Sequence, residues 1–237
     1  MFALERVETV DDPRVRDFTQ LTEVQLRLSR EAEQGLFIAE SELVISRAIE
    51  HGFKMRAMLL SDNWVEKMTP LALAADAPMY TMEPAHLKAL TGFHVHRGAL
   101  ASMERRQPAA LQDLITSCSR LAVLEDVNGH TNLGAILRSA VSLGVDGVLL
   151  SPSCADPLYR RSVRVSMGAA LAVPCARSTN WPGDLEVLKE AGFQVLALTP
   201  DPDAVALDQP AVHHTHQHNH AHIGVVPAVD DHGAEWA

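Results

Sequence analysis

Apolar positions along the chain follow two rhythms, short continuous runs and stretches that recur every three or four residues, and their alternation predicts an α/β fold. The clearest case lies between residues 121 and 150. Leu121–Leu124 is an apolar run suited to a buried strand, and Glu125–Thr131 then interpose acid, asparagine, glycine and histidine, which fit neither rhythm. From Leu133 the positions Ile136, Leu137, Ala140, Val141 and Leu143 recur at helical spacing, with Asn132 placed as N-cap and Gly144 as a left-handed stop. Gly147–Leu150 is the next strand. Strand, crossover helix and strand in about thirty residues make the unit of a parallel sheet, whose ligands lie at the carboxyl ends of the strands. Asn128–Asn132 therefore form the expected site loop.

The same reasoning upstream yields a strand at Leu36–Glu40 and a helix at Ser41–His51 with Leu43, Val44, Ala48 and Ile49 inward. It continues with a strand at Met55–Leu60, a short helical piece at Pro70–Ala75, a strand at Pro78–Thr81 and a helix at Pro84–Leu90. Before these, a helix is expected from Pro13 to about Arg30. Downstream, a helix is expected over Asp156–Ser166, strands at Leu171–Cys175 and Phe193–Leu198, and between them a helix at Leu185–Ala191 stopped by Gly192. The chain then divides into a first domain at 1–101, a linker at 102–117 with helical character from Leu111, a second α/β domain at 118–210 and a tail at 211–237.

Composition narrows the function classes. A chain of 237 residues with 47% hydrophobic content can bury two cores of ordinary size, which excludes a disordered protein. A formal net charge of −10 argues against a protein that coats nucleic acid nonspecifically, so any nucleic-acid contact must be a local basic patch. Three cysteines with no C-x-x-C spacing suit reduced thiols, and no basic-then-apolar leader or apolar run of membrane-spanning length is seen. A soluble cytoplasmic protein is the expectation.

The candidate chemistry comes from two motifs. Asn132-Leu133-Gly134-Ala135-Ile136-Leu137-Arg138-Ser139-Ala140 resembles the N-x-G-x-I-x-R-[ST]-A signature of the SpoU/TrmH RNA 2′-O-ribose methyltransferases. Asp156-Pro157-Leu158-Tyr159, Arg164-Val165-Ser166-Met167-Gly168-Ala169 and Val173-Pro174 are similar to that family's second, R-x-S-x-G-[AS], segment. The stretch from Phe37 to Arg106 is similar to the L30e-like substrate-binding domain that often precedes the methyltransferase domain, with Glu40-Ser41 where the family commonly has Glu-Gly. The resemblance implies an N-terminal L30e-like RNA substrate-binding domain followed by a SPOUT-type parallel-sheet methyltransferase domain. It further implies S-adenosylmethionine as cofactor, structured rRNA or tRNA as substrate and a homodimer. It marks Arg138 as catalytic, with Asn132 orienting it or the ribose, and sets Gly168, Leu198 and Thr199 at the cofactor. Guanidinium forks bind phosphate bidentately, so Arg160, Arg161 and Arg164, and Arg97 beside Gly98, are the candidate RNA contacts. The cations Arg14, Arg16, Arg27 and Arg30 are weaker candidates because Glu23, Glu31 and Glu33 interrupt them. A plain helix cap at Asn132 and surface ion pairs at the arginines are the alternative readings.

Beyond Thr199 the chain departs from the family. No counterpart is found of the G-x-E-x-x-G loop or of the S-L-N-rich third signature, which complete the family's trefoil knot and cofactor pocket. The C-terminus reads as divergent or truncated, and whether knot and pocket are complete stays open. His213, His214, His216, His218, His220 and His222 crowd this region; their alternation could chelate a metal weakly, but a low-complexity tail with no metal site is the preferred reading. Three functions follow: the methyltransferase, a catalytically impaired RNA-binding relative without the cofactor pocket, and an unrelated nucleotide-binding protein. The last is disfavoured by the lack of a G-x-G-x-x-G or P-loop lysine motif.

Overall fold

The computed structural model of the chain describes residues 2–22, 30–95, 98–197 and, for the backbone, 221–226. Arg27, Arg97, Leu198, Thr199 and the histidine tract as far as His220 lie outside the described residues. In chain order the strands and helices are β1 Leu4–Arg6, β2 Leu36–Glu40, α1 Glu42–Glu50, β3 Met55–Leu60, α2 Val65–Ala74, β4 Met79–Thr81, α3 Pro84–Thr91, β5 Ala99–Glu104 and α4 Leu111–Ser117. They continue with β6 Arg120–Leu124, α5 His130–Ser142, β7 Gly147–Leu150, α6 Arg160–Val165, β8 Cys175–Arg177, α7 Asp184–Glu190, β9 Phe193–Ala197 and β10 Ala221–Val226. The contacts divide into two compact units. The first holds Met1–Gln107 together with Gly134–Arg138 and Asp156–Ala172, and the second holds the described residues of the remainder.

The first unit is built on a sheet of order β1-β4-β3-β5-β2, in which β1, β4 and β3 run parallel and β5 runs antiparallel to both β3 and β2. The period of two along each strand feeds two cores. Phe37, Ala39, Met58 and Leu60 meet Val44, Ile45 and Ala48 of α1 and Met68 and Ala72 of α2, joined by Val163 of α6 and by Leu171. Leu36, Ile38, Leu59 and Leu100 face the opposite way, toward Val15, Phe18, Leu87 and Leu90. Burial on both faces is why these strands read as continuous apolar runs, and each such side chain contributes roughly 1.5–3 kcal/mol.

Several boundaries differ from the sequence expectation. Ser102, read as the start of a linker, lies inside β5 and is fully buried, its Oγ donating to Asp17 Oδ2 at 2.7 Å. Helix α2 begins at Val65 and carries Pro70 inside it, not at its start. Leu43 and Leu143 are exposed, at 42% and 77%, where helical spacing had placed them inward. In place of a long helix after Pro13 there is a 3-10 turn at Pro13–Phe18, capped by Asp12, and Arg14 is tied to Asp12 and Glu5. The expected strand at 171–175 is instead a 3-10 turn, Ala169–Leu171, opened by Gly168 in the left-handed region, with strand β8 starting only at Cys175.

Ser41 departs from the ordinary in a way the sequence hints at. Its φ of 89° and ψ of 153° fall in a region that glycine occupies without strain, and Ser41 stands where the resembling family commonly has glycine. The conformation is imposed from both sides: Ser41 N donates to Ala99 O at 3.0 Å and Ile45 N donates to Ser41 O at 3.0 Å. Ser41→Gly is expected to raise stability by about 1 kcal/mol, read as a higher urea midpoint at unchanged slope. A lower midpoint would show that the serine is not strained.

The second unit is a fully parallel sheet of order β8-β7-β6-β10-β9. Leu114, Leu121, Val123, Leu149, Ala176, Leu188 and Phe193 form its core. The carboxylate of Asp146 accepts from Ser119 N and Oγ, both at 2.7 Å, and from Arg120 N at 3.0 Å, fixing the entry to β6. Burial alone would raise its pKa, but these hydrogen bonds outweigh that and hold it below the usual carboxylate range. The placement of β10 corrects the reading of residues 211–237 as a tail. Ala221–Val226 lies between β6 and β9, with Ile223 opposite Leu121 on one side and Val195 on the other. The apolar run Ile223–Val226 was obscured by the histidines before it. Three consecutive strands, β6 to β8, extend the sheet one way from β6, while β10 and β9 lie on the other side, so the order reverses at β6/β10.

Candidate functional site

The two signatures meet in the first unit, and glycine makes the meeting possible. A Cβ built on Gly134 would stand 2.7 Å from Ser162 O, 2.9 Å from Val165 Cβ and 3.2 Å from Ser166 N, so only glycine lets α5 approach the second signature this closely. One turn further along α5, the exposed Arg138 donates weakly from Nη1 to Met167 Sδ at 3.8 Å. Met167 itself holds a left-handed φ of 55° and is followed by Gly168 at 84°. The turn is closed by Met167 N donating to Arg164 O at 3.0 Å and Gly168 N to Val163 O at 2.9 Å. Ser166 contributes structurally: its Oγ donates to Val163 O at 2.9 Å and accepts from Ala170 N at 3.2 Å.

The arginine cluster of α6 is organised by a residue the sequence did not single out for it. Glu40, at the end of β2, has a side chain only 9% exposed; Arg160 Nη1 donates to its Oε2 at 2.5 Å and Arg164 Nη1 to its Oε1 at 3.4 Å. Arg160 also stacks on Phe93, 4.4 Å from the ring centroid, and is 12% exposed. Arg160, expected as a phosphate contact, is thus paired with a buried carboxylate, the ion-pair alternative at this arginine. Arg164 at 46% and the exposed Arg161 keep surface to offer. A charged residue closing an otherwise apolar strand was the signal for Glu40. Arg97 lies outside the described residues, next to Gly98, whose φ of 97° is left-handed.

In the second unit the loops after β6 and β7 are bound to each other. Asp126, at a left-handed φ of 53°, donates from its amide to Ser151 Oγ at 3.0 Å, and its carboxylate accepts from Ser153 Oγ. With the Asn128 amide turned so that its nitrogen faces these acceptors, it donates to Asp126 O at 3.2 Å and to Ser153 O at 2.7 Å. Arg177, the last residue of β8, holds the second loop: its Nη1 donates to Ser151 O and Pro152 O at 3.0 Å and to Cys154 O at 2.8 Å, and its Nη2 to Ala155 O at 3.2 Å. Asn132 is exposed in the first turn of α5, which is capped by Gly129 in extended conformation; the expected N-cap role therefore falls to Gly129, three positions earlier. Leu198 and Thr199 follow β9 directly but lie outside the described residues.

Among the described residues no group of three histidine, cysteine, aspartate or glutamate side chains could hold a metal, and Cys118, Cys154 and Cys175 are free thiols. No helix among them is long and apolar enough to cross a membrane. A cleft of about 400 Å³ in the first unit, lined by residues including Asp62, Trp64 and His94, contains none of the signature residues.

The comparisons with known proteins agree with the two signatures. The model of the SpoU rRNA Methylase family matches residues 119–225, a span that runs from β6 into β10. An uncharacterized tRNA/rRNA methyltransferase of Mycobacterium bovis is 40% identical over 199 residues, covering 84% of this chain and 69% of its own length. Among solved structures, the AdoMet-bound rRNA methyltransferase from Sinorhizobium meliloti superposes with a TM-score of 0.70 at 19% identity, covering 98% of this chain and 92% of that one. An RNA 2′-O ribose methyltransferase superposes with a TM-score of 0.68 at 20% identity, covering 94% and 81%. At such identities the structural likeness concerns the fold, whereas the relative at 40% identity reaches the sequence itself. With both signatures in place and a match of that extent, the chain belongs to the SpoU rRNA methylase family.

Proposed function

We propose that the chain is an S-adenosylmethionine-dependent RNA methyltransferase acting on a ribose 2′-hydroxyl in structured rRNA or tRNA. The observation that carries this reading is the approach of the two signatures, in which Gly134 admits the backbone of Ser162–Ser166 and Arg138 comes to rest against Met167. The cofactor supplies an electrophilic methyl group on a sulfonium. The chain fits it at the switch point of the parallel sheet, where strand order reverses at β6/β10 and ligands of such sheets bind beyond the carboxyl ends. The loops after β6 and β7, locked by Asn128 and Arg177, give that end a fixed rim.

The residues divide the remaining work. A 2′-hydroxyl is a poor nucleophile, and alignment with the methyl carbon and leaving sulfur can supply much of the rate. A guanidinium is not a general base near neutral pH, so the part given to Arg138 is a different one. It holds the phosphate beside the target ribose and stabilises charge developing on the 2′-oxygen, while water or a phosphate oxygen takes the proton. Asn132, exposed on the same helix, offers an amide to the ribose. Arg161, Arg164 and Arg97 contact backbone phosphates, and the first unit, read as an L30e-like domain, selects the RNA. The assembly is a homodimer in the cytoplasm.

The alternative, an impaired relative without a cofactor pocket, rested on the missing third signature; the inclusion of β10 in the sheet weighs for the first reading. Calorimetric titration of the purified chain with S-adenosylmethionine separates the two. Micromolar binding is expected, and the absence of heat at millimolar cofactor would leave only the impaired relative.

A further inference from the structure

We propose that Arg47 is a positioning residue for Arg138, acting through Met167. Arg47 lies on α1 between the buried Val44 and Ala48, and its Nη1 donates to Met167 O at 2.6 Å. Its stem also lies over the next residue: a Cβ on Gly168 would stand 3.2 Å from Arg47 Cδ and 3.3 Å from its Cβ. Met167 therefore carries an arginine on each end, Arg47 on its carbonyl and Arg138 on its sulfur.

The two contacts differ in kind. A charged donor on a carbonyl is strong and directional, and here it holds a non-glycine residue in a left-handed conformation it would otherwise leave. A thioether is a weak acceptor, so its contact with the Arg138 guanidinium yields readily to a phosphate. Holding the carbonyl holds the left-handed backbone of Met167, which sets the direction of its Cα–Cβ bond and so the origin from which the side chain reaches Arg138. Arg47 belongs to the part of the chain that resembles the substrate-binding domain, so the first 100 residues contribute to the geometry of the reacting group as well as to RNA contact. The inference rests on the reading of Arg138 as the residue that touches the RNA.

Two measurements on the full chain test it. In protein labelled with ¹³C at the methionine methyl groups, Met167→Leu identifies the Met167 signal among eight methionines. Arg47→Ala is expected to move that signal while the thermal transition stays cooperative. The rate of transfer of labelled methyl from S-adenosylmethionine to rRNA transcripts is then compared for Arg47→Ala, Arg47→Lys, Arg138→Ala and the double substitution. Arg47→Ala is expected to lower kcat about 10-fold with KM for RNA little changed, because a small misplacement of the reacting group costs rate before affinity. Arg47→Lys, which keeps a donor, should recover part of the loss, and Arg47→Ala should add nothing once Arg138 is alanine. An unmoved Met167 signal, or losses that multiply in the double substitution, would overturn the inference while leaving the function in place. If the unsubstituted chain transfers no methyl group, the functional reading fails and takes this inference with it.

Discussion

Replacing Arg138 with alanine is expected to slow RNA methylation by about 10²–10³-fold, the usual cost of removing one preorganised donor from developing negative charge. The fall should appear in kcat, from the lost contact with the developing charge, and be larger in kcat/KM, because the phosphate contact made by the bound RNA is lost with it. Cofactor affinity should be unchanged, because the part proposed for Arg138 is on the RNA phosphate and the 2′-oxygen and not on the cofactor. Stability should change little as well, because Arg138 is exposed. Arg138→Lys should recover little, because a single ammonium cannot reproduce a planar fork on a phosphate. Titration calorimetry and steady-state rates on the same preparation check both halves; full activity in the alanine variant would remove Arg138 from the site.

The second large effect is on folding. Glu40→Ala would leave Arg160, 12% exposed and stacked on Phe93, with a buried charge and no carboxylate to balance it. Breaking a buried pair by removing one partner costs about 3–5 kcal/mol, and the lower end applies here because Arg164 is half exposed and loses little. In a chain of this length about 3 kcal/mol corresponds to a fall in Tm of roughly 6–12 °C. Removing the stranded charge should restore part of it, so the double variant with Arg160→Met is expected to melt above Glu40→Ala alone. Differential scanning calorimetry decides it: a Tm within about 2 °C of the unsubstituted chain would show that the triad is not balanced as described.

Which features were legible in the sequence follows from how local each one is. The strands β2, β3 and β7 are short apolar runs with turn residues on either side, and the pattern alone places them. The crossover helix was legible in its body, through Leu133, Leu137 and Ala140, and at its stop, Gly144, whose φ of 80° is left-handed. Its start was not, because asparagine is so good a cap that Asn132 outweighed Gly129, whose extended backbone begins the helix without any side-chain bond. Long-range features were invisible. Nothing near Arg160 in sequence announces a carboxylate 120 positions away, and nothing near Arg47 announces Met167 at the same separation. Strand β10 was hidden for another reason: its six residues are too few to outweigh the histidine-rich composition before them, and only its two neighbours in the sheet define it. Ser41 shows the converse, a family position where the departure from glycine was visible but the φ that makes it costly was not.

The chemistry of the product distinguishes ribose from base methylation. The most direct measurement is incubation of the chain with methyl-labelled S-adenosylmethionine and unmodified rRNA and tRNA transcripts, followed by digestion to nucleosides and mass spectrometry. The label is predicted on a ribose, as a 2′-O-methylnucleoside, and to be lost in Arg138→Ala. Label on a base, or a transfer rate that Arg138→Ala leaves unchanged, would contradict it.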